Sequence, residues 1–225
     1  DGTTSRIARA AGSVSIAVLL SRVLGLVREQ IFAGLFGAGF AYDAFVVAFR
    51  VPNLLRDLFG EGALSAAFVT VFTDYSINKG EKETWRLASN VLVFFAILIS
   101  LLTLVAISFA DPIVNLLAAD FRSIPGKQEL TVYLTRIMLP FLFFVSLAAV
   151  VMGMLNTKGK FFIPALSSSF FNLGSIVGGL FLAWLLPHFG QAAIVGMAWG
   201  TLLGGAMQLI MQIPTLRRAG FRFQL

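Results

Sequence analysis

Eight charged side chains lie within a segment that is otherwise apolar enough to cross a membrane. The segment, residues 21–68, reads SRVLGLVREQIFAGLFGAGFAYDAFVVAFRVPNLLRDLFGEGALSAAF. Its charged residues are Arg22, Arg28, Arg50, Arg56, Glu29, Asp43, Asp57 and Glu61, so the segment is formally neutral. Each charge at the bilayer centre costs roughly 2.5–3.5 kcal/mol on insertion scales, so eight would cost at most on the order of 20 kcal/mol. Such a set predicts a water-filled, charge-lined cavity inside a helical bundle.

The composition indicates a membrane protein without enzymatic machinery. Hydrophobic residues make up 58% of the chain and charged residues 12%, with a mean hydropathy of +0.88, whereas soluble domains carry about 25% charged residues. The net charge of +6 follows membrane topology, so we expect no nucleic-acid partner. The chain has no cysteine and one histidine, His188, so we expect no metal site and no cofactor. It also contains no H-E-x-x-H, G-x-S-x-G or P-loop pattern, which argues against an enzyme.

The hydrophobic runs predict an all-α, polytopic membrane bundle of six transmembrane helices. The predicted spans are about 10–35, 44–75, 88–110, 132–155, 161–186 and 192–214. Glycines in residues 34–43 predict a tight reversal, and Pro52 is positioned to kink the long second helix. The hydrophilic stretches 74–86 and 111–127 predict polar connections.

The basic residues outside the charged segment orient these spans. Ten fall on one side of the predicted bundle: Arg6, Arg9, Lys79, Lys82, Arg86, Lys158, Lys160, Arg217, Arg218 and Arg222. Only Arg122 and Lys127 fall on the other side, and the remaining base, Arg136, lies near the start of the fourth predicted span. The positive-inside rule therefore places both termini of the chain in the cytoplasm. A cleaved signal peptide is the alternative interpretation of the N-terminus, although the apolar stretch Ile16–Leu20 is soon followed by Arg22, without a convincing cleavage site.

Each charged residue has a structural and a functional interpretation. Arg22 and Glu29 lie on nearly one helical face, where they can form an internal salt bridge or line a cavity for an anion, while Arg28 points elsewhere. Asp43 can cap the second helix or contact substrate. Asp43, Arg50, Asp57 and Glu61 would form one stripe on a straight helix. Arg56 lies off this stripe and is the better candidate for a cation that faces substrate.

Small residues at four-residue spacing predict close helix packing. Gly196, Gly200 and Gly204 recur in the sixth span, and Gly174 and Gly178 in the fifth. This spacing is typical of helices that approach closely. Packing within the bundle is the favoured interpretation, and dimerisation is the alternative.

The charged segment closely resembles the start of the MurJ/MviN family of lipid II flippases, within the multidrug/oligosaccharidyl-lipid/polysaccharide exporter superfamily. The elements SRVLG, VRE, FGAG, DAF, AFR-PNLLR and EGALSAAF occur in order and at fitting spacing. The resemblance continues more loosely through LNTKGKFFIPALSSSFFN and GGAMQLIMQIPTLRRAGF, so it covers nearly the whole chain.

The resemblance implies a bacterial cytoplasmic-membrane transporter of lipid II, a polyprenyl-pyrophosphate-linked disaccharide-pentapeptide used in cell-wall synthesis. It implies alternating access, with the family's cavity arginines corresponding to Arg22, Arg28 and Arg56. The helix-1 acid, often Asp in the family, corresponds to Glu29, and the helix-2 acids to Asp43 and Glu61. Arg50 completes the predicted substrate-binding set. Asp57 departs from the family, which commonly has a second basic residue there.

Family members have fourteen helices in two lobes, so the resemblance implies that residues 1–225 form the N-terminal lobe. The expected partners are lipid II, membrane lipid and a C-terminal lobe that closes the cavity. Two other functions stay open on sequence alone. A drug/cation antiporter of the same superfamily would favour acidic residues in the cavity, and a non-transporting scaffold would tolerate neutral replacements of the arginines.

Overall fold

A computed structural model describes the backbone of residues 2–60 and 63–224, and the side chains of 11–56 and 68–224. The ten α-helices in these ranges are α1 (Gly2–Phe36), α2 (Phe40–Gly60), α3 (Ala63–Asn78), α4 (Glu81–Ser108), α5 (Ala110–Leu117), α6 (Lys127–Met138), α7 (Phe141–Thr157), α8 (Phe162–Leu185), α9 (Ala193–Ile210) and α10 (Ile213–Arg218). Short 3₁₀ segments follow α5 and α8, and the described ranges contain no β-strand. The predicted all-α membrane bundle is confirmed.

Connections predicted as loops are shorter than the sequence suggested. The reversal predicted over 34–43 reduces to three residues between α1 and α2, with Gly37 in the left-handed region at φ 62°. The prediction of a polar loop over 74–86 is wrong, because α3 extends to Asn78 and α4 begins at Glu81. Only Lys79 and Gly80 connect the two helices. The polar residues lie instead on helix ends, where the acids in the first turn of α4 suit the helix dipole.

The predicted second span is not one continuous helix. It divides into α2 and α3, and Pro52 lies inside α2 without ending it. Within the described residues, five helical stretches are long and apolar enough to cross a membrane: Ala11–Phe36, Glu81–Ser108, Lys127–Thr157, Phe162–Phe189 and Ala193–Arg218. Helix α2 does not meet this requirement because it contains four charged residues, and α3 does not because it is only sixteen residues long. The count of six spans is therefore not confirmed.

Helix α7 lies at the centre of the bundle. One core cluster joins it to α3, α4 and α10, with Phe72, Trp85, Ile99 and Leu155 among its buried members. A second cluster joins α1, α2, α6 and α9. Large apolar side chains on the outer face of α4, such as Phe94 and Leu104, are exposed. This pattern fits a bundle whose perimeter contacts lipid.

The glycines of α8 and α9 lie in the contact between these two helices. A methyl group added to Gly200 would overlap the backbone of Gly179, and one added to Gly204 would overlap the carbonyl of Phe171. The spacing therefore serves packing within the chain, which was the favoured interpretation.

The basic connections predicted on one side meet at one end of the bundle. Lys158, after α7, donates a 3.1 Å hydrogen bond to Ser76 and lies 3.8 Å from Glu81. The ring of Trp85 packs at 5.7 Å against Phe221, after α10. The α3–α4 and α7–α8 connections and the C-terminal residues are thereby brought together.

Candidate functional site

Among the charged side chains of α1 that the structure describes, Arg28 is the one that the bundle encloses. Its guanidinium lies 5.7 Å from the ring centre of Phe49 on α2 and 5.0 Å from that of Phe171 on α8. The side chain is 14% exposed. Cation–π contact with two rings stabilises a partly desolvated guanidinium and holds its position. Its ion-pair partner among the described residues is Glu29, at 3.9 Å, which is 65% exposed. Within the part of the chain that the structure describes, this long, open ion pair leaves most of the donors of Arg28 unused.

Arg28 and Arg56 line the same cavity, which we call the Arg56 cavity. Its volume is about 270 Å³. The polar lining residues are Arg28, Arg56, Ser167, Ser168, Asn172 and Gln208, and the remainder are small or apolar residues of α1, α7 and α8. Two cations that share a cavity make it suited to an anion with more than one charge.

Arg28 also lines a second cavity, between α1 and α2, which we call the Tyr42 cavity. Its volume is about 380 Å³. The lining consists of Arg28, Glu29, Phe32, Tyr42, Phe45, Val46, Phe49, Arg50, Asn53 and Thr201. Arg28 is the one residue common to both linings. Its guanidinium therefore separates two neighbouring chambers.

Contacts between α8 and α1 hold Arg28 in place. Asn172 donates a 3.0 Å hydrogen bond to the backbone carbonyl of Ser21. A methyl group added to Gly25 would lie 3.5 Å from the same amide. This polar contact joins two apolar helices beside Phe171, so it fixes the face that α1 presents to the cavities.

Asp43 lies at a different polar cluster, near the start of α2. Its carboxylate pairs at 2.9 Å with the ammonium of Lys127 on α6. Lys127 is 7% exposed and lies 4.3 Å from the ring centre of Phe121, whereas Asp43 is 49% exposed. Nearby, Gln128 donates to Asp111, which lies 3.6 Å from Arg122. Asp43 thus joins α2 to α6 and lines neither cavity.

The structure brings together part of the predicted substrate-binding set. Arg28, Arg56, Glu29 and Arg50 line the two cavities. Arg22 is exposed on α1 and lines neither of them. Glu61 and the side chain of Asp57 lie outside the described residues, so their predicted roles stay predictions.

Sequence reasoning missed several residues of these cavities. Asn172 and Gln208 interrupt apolar spans, and uncharged polar residues at such positions are a usable signal. Phe49 and Phe171 had no signal, because 23 phenylalanines occur in the chain and nothing local distinguishes these two. Outside the cavities, the sequence predicts Lys127 in a polar connection, whereas α6 begins with it.

Comparison with known proteins identifies the family. The model of the family "Lipid II flippase MurJ" matches residues 32–225. This chain belongs to that family.

Individual relatives agree. The chain is 37% identical to a probable lipid II flippase MurJ of Buchnera aphidicola subsp. Acyrthosiphon pisum, over 91% of this chain and 39% of the relative. It is 38% identical to the lipid II flippase MurJ of Burkholderia cenocepacia, over 93% and 40% respectively. A solved structure, "Lipid II flippase MurJ, inward closed conformation", matches with a TM-score of 0.73 and 33% identity, over 94% of this chain and 43% of that one. The chain therefore spans about two fifths of the length of these relatives.

Proposed function

We propose that the protein carrying this chain moves lipid II across the bacterial cytoplasmic membrane by alternating access. In this proposal residues 1–225 form the N-terminal lobe, and the pyrophosphate of the substrate binds at Arg28 and Arg56. The family membership and the relatives' names support this function. The protein would act in peptidoglycan synthesis as a transporter.

The enclosed position of Arg28 is the observation that carries the proposal. Its guanidinium is always charged and offers planar, multidentate donors that suit phosphate oxygens. Low exposure and two flanking rings keep competing water away and so strengthen its attraction for an anion. Arg56 adds a second cation in the same cavity. A pyrophosphate carries the concentrated negative charge that such a pair fits.

The other predicted site residues take different roles in this proposal. Glu29 and Arg50 line the Tyr42 cavity beside Arg28 and would contact the head group. Asp43 acts through its ion pair with Lys127, which sets the start of α2. Arg22 would lie on the surface that meets the second lobe, because an exposed arginine on a membrane helix needs a polar environment. For Glu61 the role in substrate binding stays a prediction from the sequence.

A second lobe is required for transport. Alternating access needs two bundles that rock about a central site, and one lobe provides one wall of it. The coverage of about two fifths of the relatives' length leaves room for that lobe. Both termini of this chain would be cytoplasmic, as the ten-to-two distribution of bases predicts.

The test replaces the cavity arginines in the full-length protein. We expect Arg28→Ala or Arg56→Ala to lower translocation of the labelled lipid by roughly 10- to 100-fold, because charge-assisted hydrogen bonds contribute about 1.5–3 kcal/mol. Arg28→Lys should recover little, since lysine keeps the charge but loses the planar fork. Translocation is measured in reconstituted vesicles and by growth of cells depleted of their own flippase.

Arg86→Ala is the matched control, because Arg86 is exposed on α4 and lines neither cavity. Membrane abundance is measured for every variant. Full transport by both alanine variants would refute the pyrophosphate assignment. Loss of protein instead of transport would indicate that the arginines are structural. Arginine-independent uptake of cationic dyes would favour an antiporter.

A further inference from the structure

The Tyr42 cavity differs in character from the Arg56 cavity. Tyr42 and Phe45 stack with an interplanar angle of 16°, and Phe45 and Phe49 with one of 10°, at centroid separations of 6.4 and 6.3 Å. These rings form a continuous aromatic wall along α2. The polar part of the lining consists of Asn53, Thr201 and the charged residues Arg28, Glu29 and Arg50. Aromatic surface combined with a few polar or charged groups is typical of pockets that bind small molecules or parts of them.

The polar groups of this cavity are available to a ligand. Among the described residues, the side chains of Tyr42, Arg50 and Asn53 make no hydrogen bond or ion pair with the protein. The hydroxyl, the amide and the guanidinium together offer both donors and an acceptor. A pyranose ring has a C–H face that packs on an aromatic ring and a rim of hydroxyls that needs donors and acceptors. The lining matches both requirements.

The position of the cavity relative to Arg28 adds a geometric argument. Phe171 belongs to the Arg56 cavity and Phe49 to the Tyr42 cavity, and the Arg28 guanidinium contacts both rings, at 5.0 and 5.7 Å from their centres. In a glycosyl pyrophosphate the sugar is bonded directly to a phosphate oxygen. A sugar must then occupy space that adjoins the phosphate site. The Tyr42 cavity adjoins it through Arg28.

We propose that the Tyr42 cavity is a saccharide subsite, which receives the sugar next to the pyrophosphate while Arg28 holds the phosphate at the boundary. This assignment rests on the proposed function and deepens it. Tyr42 and Asn53 are its specificity-determining residues. The subsite would let the protein distinguish a glycosylated lipid carrier from the bare polyprenyl pyrophosphate.

The test compares two ligands that differ only in the sugar. Full-length protein in detergent is titrated with polyprenyl pyrophosphate, and with the same lipid carrying a disaccharide but no peptide. The wild type should bind the glycosylated lipid more tightly. Tyr42→Phe and Asn53→Ala should each reduce that preference by about 2- to 10-fold, the range expected for one hydrogen bond. Their affinity for polyprenyl pyrophosphate should stay unchanged.

Tyr133→Phe and Asn90→Ala are matched controls, because neither residue lines either cavity. Equal wild-type affinity for the two lipids would overturn the saccharide subsite and leave the transport proposal standing. A preference that survives in both variants would also overturn it. Failure of the wild type to bind either lipid would instead refute the proposed function. Tyr42→Phe removes one hydroxyl and keeps the ring, so misfolding does not obscure the result.

Discussion

At the scale of single residues, Asp43 and Lys127 form an ion pair whose two side chains are buried to very different extents. The two residues are 84 positions apart and meet at 2.9 Å. Lys127 is almost fully buried, against the rings of Phe40 and Phe121, while half of Asp43 reaches the surface. Removal of one partner of a buried pair leaves an uncompensated charge. Here that cost depends on which partner is removed.

We expect Asp43→Asn to destabilise the protein more than Lys127→Met. The first change leaves a buried ammonium without its counter-ion, which can cost up to about 3–5 kcal/mol. The second leaves a half-exposed carboxylate that water can solvate, and methionine fills the apolar part of the lysine site. Thermal unfolding in detergent measures both variants. The double variant should be more stable than Asp43→Asn alone, and the opposite order of the single variants would contradict the assignment.

At the scale of secondary-structure elements, α8 and α9 depend on backbone contact. The helices approach so closely that a methyl group at Gly196 would overlap the backbone of Leu182 and Ala183. Close approach increases van der Waals contact, which drives helix association in lipid because the apolar surroundings give no hydrophobic driving force. Helix α8 also carries Phe171 and Asn172. Its position on α9 therefore controls the position of Arg28.

Gly200→Ala should lower thermal stability by about 1–3 kcal/mol, the usual cost of overpacking. The added methyl group would overlap the backbone of Gly179 and lie 2.8 Å from the carbonyl oxygen of Ser175. Gly12→Ala is the control, because nothing lies within 4 Å of the position where its methyl group would be. Alanine there should leave stability unchanged or raise it slightly, since it favours helix over glycine. Equal melting temperatures for the two variants would show that the α8–α9 contact is looser than described.

At the scale of the whole molecule, separate clusters of charged residues lie at the two ends of the bundle. Lys158, Glu81 and Trp85 cluster at one end, with the C-terminal residues. Asp43, Lys127 and Asp111 cluster at the other. Most of the predicted cytoplasmic bases belong to the connections at the first end. The two ends supply positions at which orientation in the membrane can be measured.

We expect Lys82→Cys to resist an impermeant thiol reagent in intact cells and Ser123→Cys to react. The chain has no cysteine of its own, so each variant contains one labelling site in this region. Both positions are exposed, which makes a negative result informative. Permeabilised cells provide the control, in which both variants should react. Reaction of Lys82→Cys alone in intact cells would invert the proposed topology.

The local sequence was sufficient to predict an all-helical membrane protein, because an apolar run in a bilayer must satisfy its backbone hydrogen bonds internally. The ordered motifs around Arg22, Arg28 and Arg56 were likewise sufficient for the family. They could not rank those arginines. Arg28 is enclosed and Arg22 is exposed because α8 and α2 cover one face of α1 with Phe171 and Phe49. They could not place Asp43 either, because its partner comes from α6. Desolvation and ion pairing depend on contacts between helices distant in sequence, and only the tertiary structure decides them.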